Sequence, residues 1–180
     1  MSLLITYFVH GTTTDNENNI ATGWQPGELS ALGIEQAKKL GRMIRVKKFN
    51  AIFSSDLKRA VDTTQLAFGD QYKMIKDKRL RECNYGDWNG QPNDFKKDLT
   101  KHIEEPFPNG ENCLDVEKRM ASFLKDVSQT YSDKHIAIVA HQAPQLALEV
   151  LLKGKTWQQA IAEDWRRTKS WQPGWEYSVE

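Results

Sequence analysis

Leu3-Leu4-Ile5-Thr6-Tyr7-Phe8-Val9-His10-Gly11-Thr12-Thr13-Thr14-Asp15-Asn16 changes character once, at His10-Gly11, and that change decides the fold. Before it lies an apolar run of β-branched and aromatic side chains, the composition of a buried strand. Glycine ends the run because it turns the backbone sharply without steric cost. After it come hydroxyls, an Asp and an amide, which is loop chemistry. An imidazole therefore stands at the carboxyl end of a buried strand, the edge at which open α/β sheets bind ligands. One histidine so placed is more often a turn residue than a catalyst. A second run of the same design, His135-Ile136-Ala137-Ile138-Val139-Ala140-His141-Gln142, changes that balance. Two imidazoles at the ends of two buried runs point to a shared site.

Outward from these runs, strand and helix signals alternate. Ser30 reads as the N-cap of a helix in which Ala37, Leu40 and Ile44 recur at helical spacing. Residues 49–55 form a short strand, and Asp56 leads into a helix carrying Leu57, Arg59, Ala60, Thr63, Thr64 and Leu66. Met74-Ile75 is a short edge strand. The polar residues 91–112, punctuated by prolines and Gly110, read as a surface excursion with at most one short helix. An amphipathic helix runs from Asn112 to about Tyr131, and Ala143 to Leu152 is a helix entered through Pro144. Trp157, Trp165, Trp171 and Trp175 mark a tail expected to pack on the outside, with Trp175–Val179 as a last strand. The alternation gives an α/β class: a mostly parallel sheet with helices on both faces.

Composition narrows the function. The chain has 180 residues, 39% of them hydrophobic, enough for one domain over residues 1–180. Its net charge of +1, with signs interspersed, gives no footprint for nucleic acid or a membrane surface. Cys83 and Cys113 have no metal-ligand spacing with the histidines and read as ordinary reduced thiols. Neither a signal peptide nor a spanning apolar run is present, so a cytoplasmic location is expected. Oligomeric state is not readable.

Six motifs in order carry a resemblance over residues 5 to about 150. They are His10-Gly11 with Thr13 and Asn16; Leu29-Ser30 with Gly33 and Gln36-Ala37; Ser54-Ser55-Asp56-Leu57 with Arg59-Ala60; Leu80, Glu82 and Tyr85-Gly86-Asp87-Trp88-Asn89-Gly90; Pro108-Asn109-Gly110-Glu111; and His141. The chain resembles the histidine phosphatase superfamily of cofactor-dependent phosphoglycerate mutases and related phosphatases. The resemblance implies a three-layer, phosphoglycerate mutase-like sandwich and phosphoryl transfer through a phosphohistidine; no metal or cofactor is expected, because no carboxylate or His/Cys cluster stands at ligand spacing and Arg59 with the two imidazoles supplies positive charge instead. It implies His10 as nucleophile, Glu82 as general acid and base, and His141 as a charged stabiliser of the transferring group. Arg59, Asn16, Thr22 and Gly23 match phosphate-binding positions, and Tyr85 a substrate contact; His102 and His135 are expected to be surface and structural respectively.

The reading is a phosphatase acting on a small phosphorylated metabolite. A mutase is disfavoured because the stretch between Glu82 and His141 is short and lacks a paired-arginine insertion. The remaining alternative, a weakly active or inactive phosphoester-binding member, rests on Val9. The family carries arginine at that position, before its nucleophile, and a lost charge-assisted contact costs about 1.5–3 kcal/mol. Restoring arginine at position 9 is expected to raise kcat/KM for a phosphate monoester by about tenfold or more, measured by steady-state kinetics on a folded variant. An unchanged or lower value would mean that another group already fills the place, Arg79 and Arg81 being the nearest candidates in the Glu82 loop, or that the pocket no longer serves phosphoryl transfer.

Overall fold

The computed structural model describes residues 2–167 and 174–180. Strand β1 (Leu3–Val9) leads through helix α1 (Thr14–Glu17) and strand β2 (Ile20–Ala21) to helix α2 (Ala31–Ile44). Strand β3 (Ala51–Ser54), helix α3 (Lys58–Phe68) and strand β4 (Met74–Lys76) follow. After strand β5 (Gln91–Pro92) come helix α4 (Cys113–Thr130), strand β6 (His135–Ala140), helices α5 (Gln142–Lys153) and α6 (Trp157–Ala162), and strand β7 (Trp175–Val179). The main sheet has the order β4-β3-β6-β1-β7. Its first four strands run parallel, and β7 closes the edge antiparallel to β1.

Two-residue alternation assigns each strand residue to a layer. Ile5 and Tyr7 of β1, Phe53 of β3, and Ile136 and Ile138 of β6 face a core closed by Val116, Met120 and Phe123 of α4 and Leu146 of α5. Phe8, Ile52, Ala137 and Val139 face the other layer, where Leu40 and Ile44 of α2 meet Phe68 of α3. The chain is thus a mixed α/β sandwich with helices on both faces of a mostly parallel sheet.

Local chemistry sets the helix starts. Ser30 caps α2 by accepting from the Gly33 N–H, and Asn112 caps α4 in a reciprocal box with Asp115. Thr13 and Asn16 form a second such box, which makes α1 a short helix where loop was expected. Among the described residues, no helix is long and apolar enough to cross a membrane.

Two expectations need correction. Residues 91–112 are not a surface excursion: Leu99, Ile103 and Phe107 are buried, and 3-10 turns span Asn93–His102. His102 is buried with them, its ring stacked on Phe107 at 3.8 Å between centroids. Polar composition concealed this because the few apolar side chains are spaced by prolines and turns rather than by a helical period. The tryptophans also depart from expectation: Trp157 and Trp175 are buried, Trp165 is half-buried, and Trp171 lies outside the described residues. His135 behaves as expected, bonded to the Thr6 hydroxyl at 2.8 Å and set edge-on against Phe49.

The loop after β1 is pinned against the first turn of α2. A methyl on Gly33 would stand 1.9 Å from the Thr12 carbonyl oxygen, and one on Gly11 would stand 2.4 Å from the Gly33 carbonyl oxygen. Alanine usually stabilises a helix interior by about 0.5–1 kcal/mol over glycine. Here the sign should reverse: Gly33→Ala is expected to lose about 1–3 kcal/mol in urea denaturation, the cost of forcing a methyl into a packed contact. A variant as stable as the native chain would contradict this packing.

Candidate active site

The register of β1 and β6 builds the site. Val9 pairs with Ala140, and the His10 N–H donates to the Ala140 carbonyl at 3.0 Å. His10 and His141 therefore leave adjacent parallel strands at one level, with ring centroids 5.1 Å apart. Tyr7, fully buried in β1, fixes the second histidine: its hydroxyl donates to the His141 carbonyl at 2.7 Å and accepts from the His141 N–H at 3.0 Å. Sequence reading took Tyr7 only as strand filling.

The hydrogen bonds of His10 set its tautomer. Nδ1 lies 2.7 Å from the Gly11 carbonyl oxygen. A carbonyl only accepts, so Nδ1 carries the hydrogen and Nε2 keeps its lone pair. Burial and the adjacent Arg59 charge lower the pKa of this ring to about 3, so it is neutral at working pH. A neutral imidazole with an unprotonated Nε2 is a nucleophile once that nitrogen exchanges its hydrogen bond from Arg59 for the electrophile.

Arg59 stands behind that nitrogen. It is 2% exposed, and its Nε–H donates to His10 Nε2 at 3.3 Å. Nη1 donates to the carbonyls of Gln25 and Pro26 at 2.7 and 3.3 Å, and Nη2 to that of Gly23 at 2.8 Å. A guanidinium has five N–H donors, so these four bonds leave one N–H over, on Nη2. Arg59 thus binds the loop that wraps the site more than it faces open space.

Thr22 and Gly23 belong to this loop. The Thr22 hydroxyl donates to Asp15 at 2.8 Å. Gly23 has φ +55° and no room for a Cβ, which would stand 1.8 Å from the Asn89 side-chain oxygen. The Asn16 amide oxygen is taken by the Thr13 N–H, which leaves its amide nitrogen for the cavity that Asn16 lines.

His141 is fully buried, and neither ring nitrogen has a hydrogen-bond partner among the described residues. Such a group costs about 1–3 kcal/mol, so two orphaned nitrogens mark a place kept for a ligand. Burial, then the Arg59 charge, holds this ring well below the usual histidine range and neutral when the site is empty. Glu82 is 5% exposed, and its Oε1 accepts from the N–H groups of Cys83 and Ala143 at 2.9 and 3.0 Å. Burial pushes its carboxyl up, but the Lys96 charge and the two N–H groups outweigh burial and hold it below its ordinary value. The empty site therefore contains a carboxylate.

In front of these groups opens a cavity of about 800 Å³, a size suited to a small metabolite. Val9, His10, Asn16 and Glu82 line it, together with Lys96, Gln142, Asp164 and Arg166. The last four were missed by sequence reading: Gln142 was seen only as the residue after His141, and Lys96, Asp164 and Arg166 lie in segments with no readable motif. Tyr85 is buried and lies under Lys96, whose Nζ is 4.9 Å from the ring centroid. Arg79 and Arg81 are engaged elsewhere: Arg79 pairs with Asp77 and Asp126, and Arg81 binds Asp56 through two bonds of 2.7 and 2.6 Å. Among the described residues, no group of three His, Cys, Asp or Glu side chains is placed to hold a metal ion.

His10 and His141 bind protons more weakly folded than unfolded. Stability should therefore fall as pH drops below the ordinary histidine value of 6.5 toward the His10 value of about 3. Each ring contributes a slope of up to about 1.4 kcal/mol per pH unit. Denaturant midpoints measured down this range should show the loss, and His141→Asn should flatten it. An unchanged slope in that variant would mean that His141 titrates normally.

A profile of the histidine phosphatase superfamily (branch 1) matches residues 7–172. Phosphoserine phosphatase 1 of Hydrogenobacter thermophilus is 29% identical over 137 residues, 71% of this chain and 65% of that protein. A 2,3-bisphosphoglycerate-dependent phosphoglycerate mutase of Methylorubrum populi is 27% identical over 173 residues, 87% of this chain and 82% of that protein. The structure of a mycobacterial glucosyl-3-phosphoglycerate phosphatase in complex with VO3 superposes with a TM-score of 0.78 at 26% identity, over 88% of this chain and 86% of that one. With the paired histidines and the matched profile in agreement, the chain belongs to the histidine phosphatase superfamily.

Proposed function

We propose that the protein hydrolyses a small phosphate monoester through a phosphohistidine on His10, without a metal ion. The observation that carries this reading is the neutral His10 ring, with its Nε2 lone pair at the site and its Nδ1–H held by Gly11.

In the first step Nε2 attacks phosphorus, the P–N bond forms and the ester P–O bond breaks. The leaving oxygen takes a proton from Glu82. Glu82 is a carboxylate when the site is empty, so it gains this proton as the phosphate anion enters beside it and raises its pKa. In the second step Glu82 recovers a proton from water, whose oxygen attacks phosphorus while the P–N electron pair returns to Nε2. His141 supplies N–H donation to the phosphoryl oxygens, and the incoming anion favours its protonated form. The substrate in this reading is a small phosphorylated metabolite, in keeping with the phosphatase names of two of the relatives. Val9 on the cavity wall keeps weak activity as the second reading.

Incubation with an aryl phosphate should leave an acid-labile phosphoryl group on the native chain and none on His10→Ala. Glu82→Gln should slow hydrolysis of an alkyl phosphate by about 10²–10⁴-fold, and that of an aryl phosphate far less, because only the poor leaving group needs the proton. Chelators should leave both rates unchanged. A phosphoenzyme that persists in His10→Ala, or activity that needs an added divalent ion, would contradict the mechanism.

A further inference from the structure

A phosphoryl group arrives with about two negative charges, and the site as described offers it few free donors. Most of the Arg59 fork is spent on backbone carbonyls and His10. Position 9, which borders the cavity beside the nucleophile, is valine. Cationic donors must therefore come from the other walls.

Four cations line the cavity: Lys96, Lys97, Arg166 and Arg167. Lys97 is solvated and pairs with Asp94 at 2.5 Å, and Arg167 is exposed. Arg166 is different in kind. It is half-buried, its guanidinium lies 4.7 Å from the Trp165 ring centroid, and Nη1 donates to Asp164 Oδ1 at 2.8 Å. The Arg166 backbone N–H donates to the same oxygen at 3.2 Å.

Asp164 is 6% exposed, and its Oδ2 accepts from the side-chain amide of Gln142, the first residue of α5 and the neighbour of His141. One buried carboxylate thus ties Arg166 to the helix that begins at the second histidine. Nε and Nη2 of Arg166 have no acceptor among the described residues. Arg166 and His10 line the same cavity.

We infer that Arg166, oriented by Asp164, is the arginine that binds the phosphoryl oxygens in this site, reaching them from the segment after α6 instead of from position 9. Asp164 is then a positioning residue. This rests on the phosphatase reading for its kinetic consequence, but not for its binding consequence. An arginine brought by a different element makes the valine at position 9 tolerable. It also makes the contact dependent on one carboxylate.

The experiment is a double-mutant cycle of Val9→Arg and Arg166→Ala, with inorganic phosphate affinity and aryl phosphate kinetics read on each folded protein. Arg166→Ala should weaken phosphate binding and lower kcat/KM by about tenfold to a hundredfold, the size of one charge-assisted pair. Arg166→Lys should retain part of both, and Asp164→Asn should reduce both while leaving the unfolding midpoint near the native value. In the native chain, where Arg166 already holds the phosphoryl oxygens, Val9→Arg should fall short of the tenfold gain expected from sequence, and in the Arg166→Ala background its gain should be at least tenfold larger. If Arg166→Ala is poorly folded, Arg166→Gln carries the same expectation. Phosphate affinity and kcat/KM unchanged by loss of the guanidinium would overturn the inference, as would equal gains from Val9→Arg in the two backgrounds. A native chain that binds phosphate through Arg166 yet forms no phosphoenzyme would instead refute the catalytic reading alone.

Discussion

Everything in the site depends on the parallel pairing of β1 with β6. Register is a discrete quantity: a slip of one residue would turn each strand's side chains to the opposite layer. The Val9–Ala140 pairing is therefore enforced by two cores at once, Ile5 and Tyr7 filling one and Phe8 the other. That enforcement reaches the chemistry without any flexible intermediary. His10 and His141 are the next residues after the pair, and the Tyr7 hydroxyl clamps the backbone of His141 from inside the sheet. A catalytic geometry built in this way is as rigid as the core.

The second constraint is electrostatic. Two imidazoles are buried within reach of the Arg59 charge, and the result is that both stay neutral. Neutrality serves the two rings differently. For His10 it preserves a lone pair on the nitrogen that faces the site. For His141 it leaves unpaired nitrogens whose cost is recovered only when an anion enters.

The fold was largely legible because its signals are local and periodic. The apolar runs ending at His10 and His141, the Ser30 cap and the amphipathic pattern after Asn112 each specify an element from a few neighbouring residues. The candidate residues that the structure brings together, His10, His141 and Arg59, could be singled out in the sequence because they sit at strand ends or in a short motif. What escaped was everything set by tertiary packing. Tyr7 reads as any core tyrosine until the register brings His141 above it. Lys96 and Arg166 lie in segments of mixed polarity, and only the packing of those segments against α5 and the sheet turns them toward the cavity. His102 looked solvated because charge surrounds it in sequence, whereas Phe107 covers it in space.

The central claim is the state of the His10 ring, since nucleophilicity, proton inventory and the role of Arg59 all follow from it. Long-range nitrogen–proton NMR of the histidine-labelled protein reports the tautomer and charge of each imidazole directly. The account predicts that His10 carries its hydrogen on Nδ1 and keeps that neutral signature from about pH 7 down to about pH 5, where an ordinary histidine has become charged. A His10 ring that is protonated on Nε2, or that titrates near the ordinary histidine value, would contradict it.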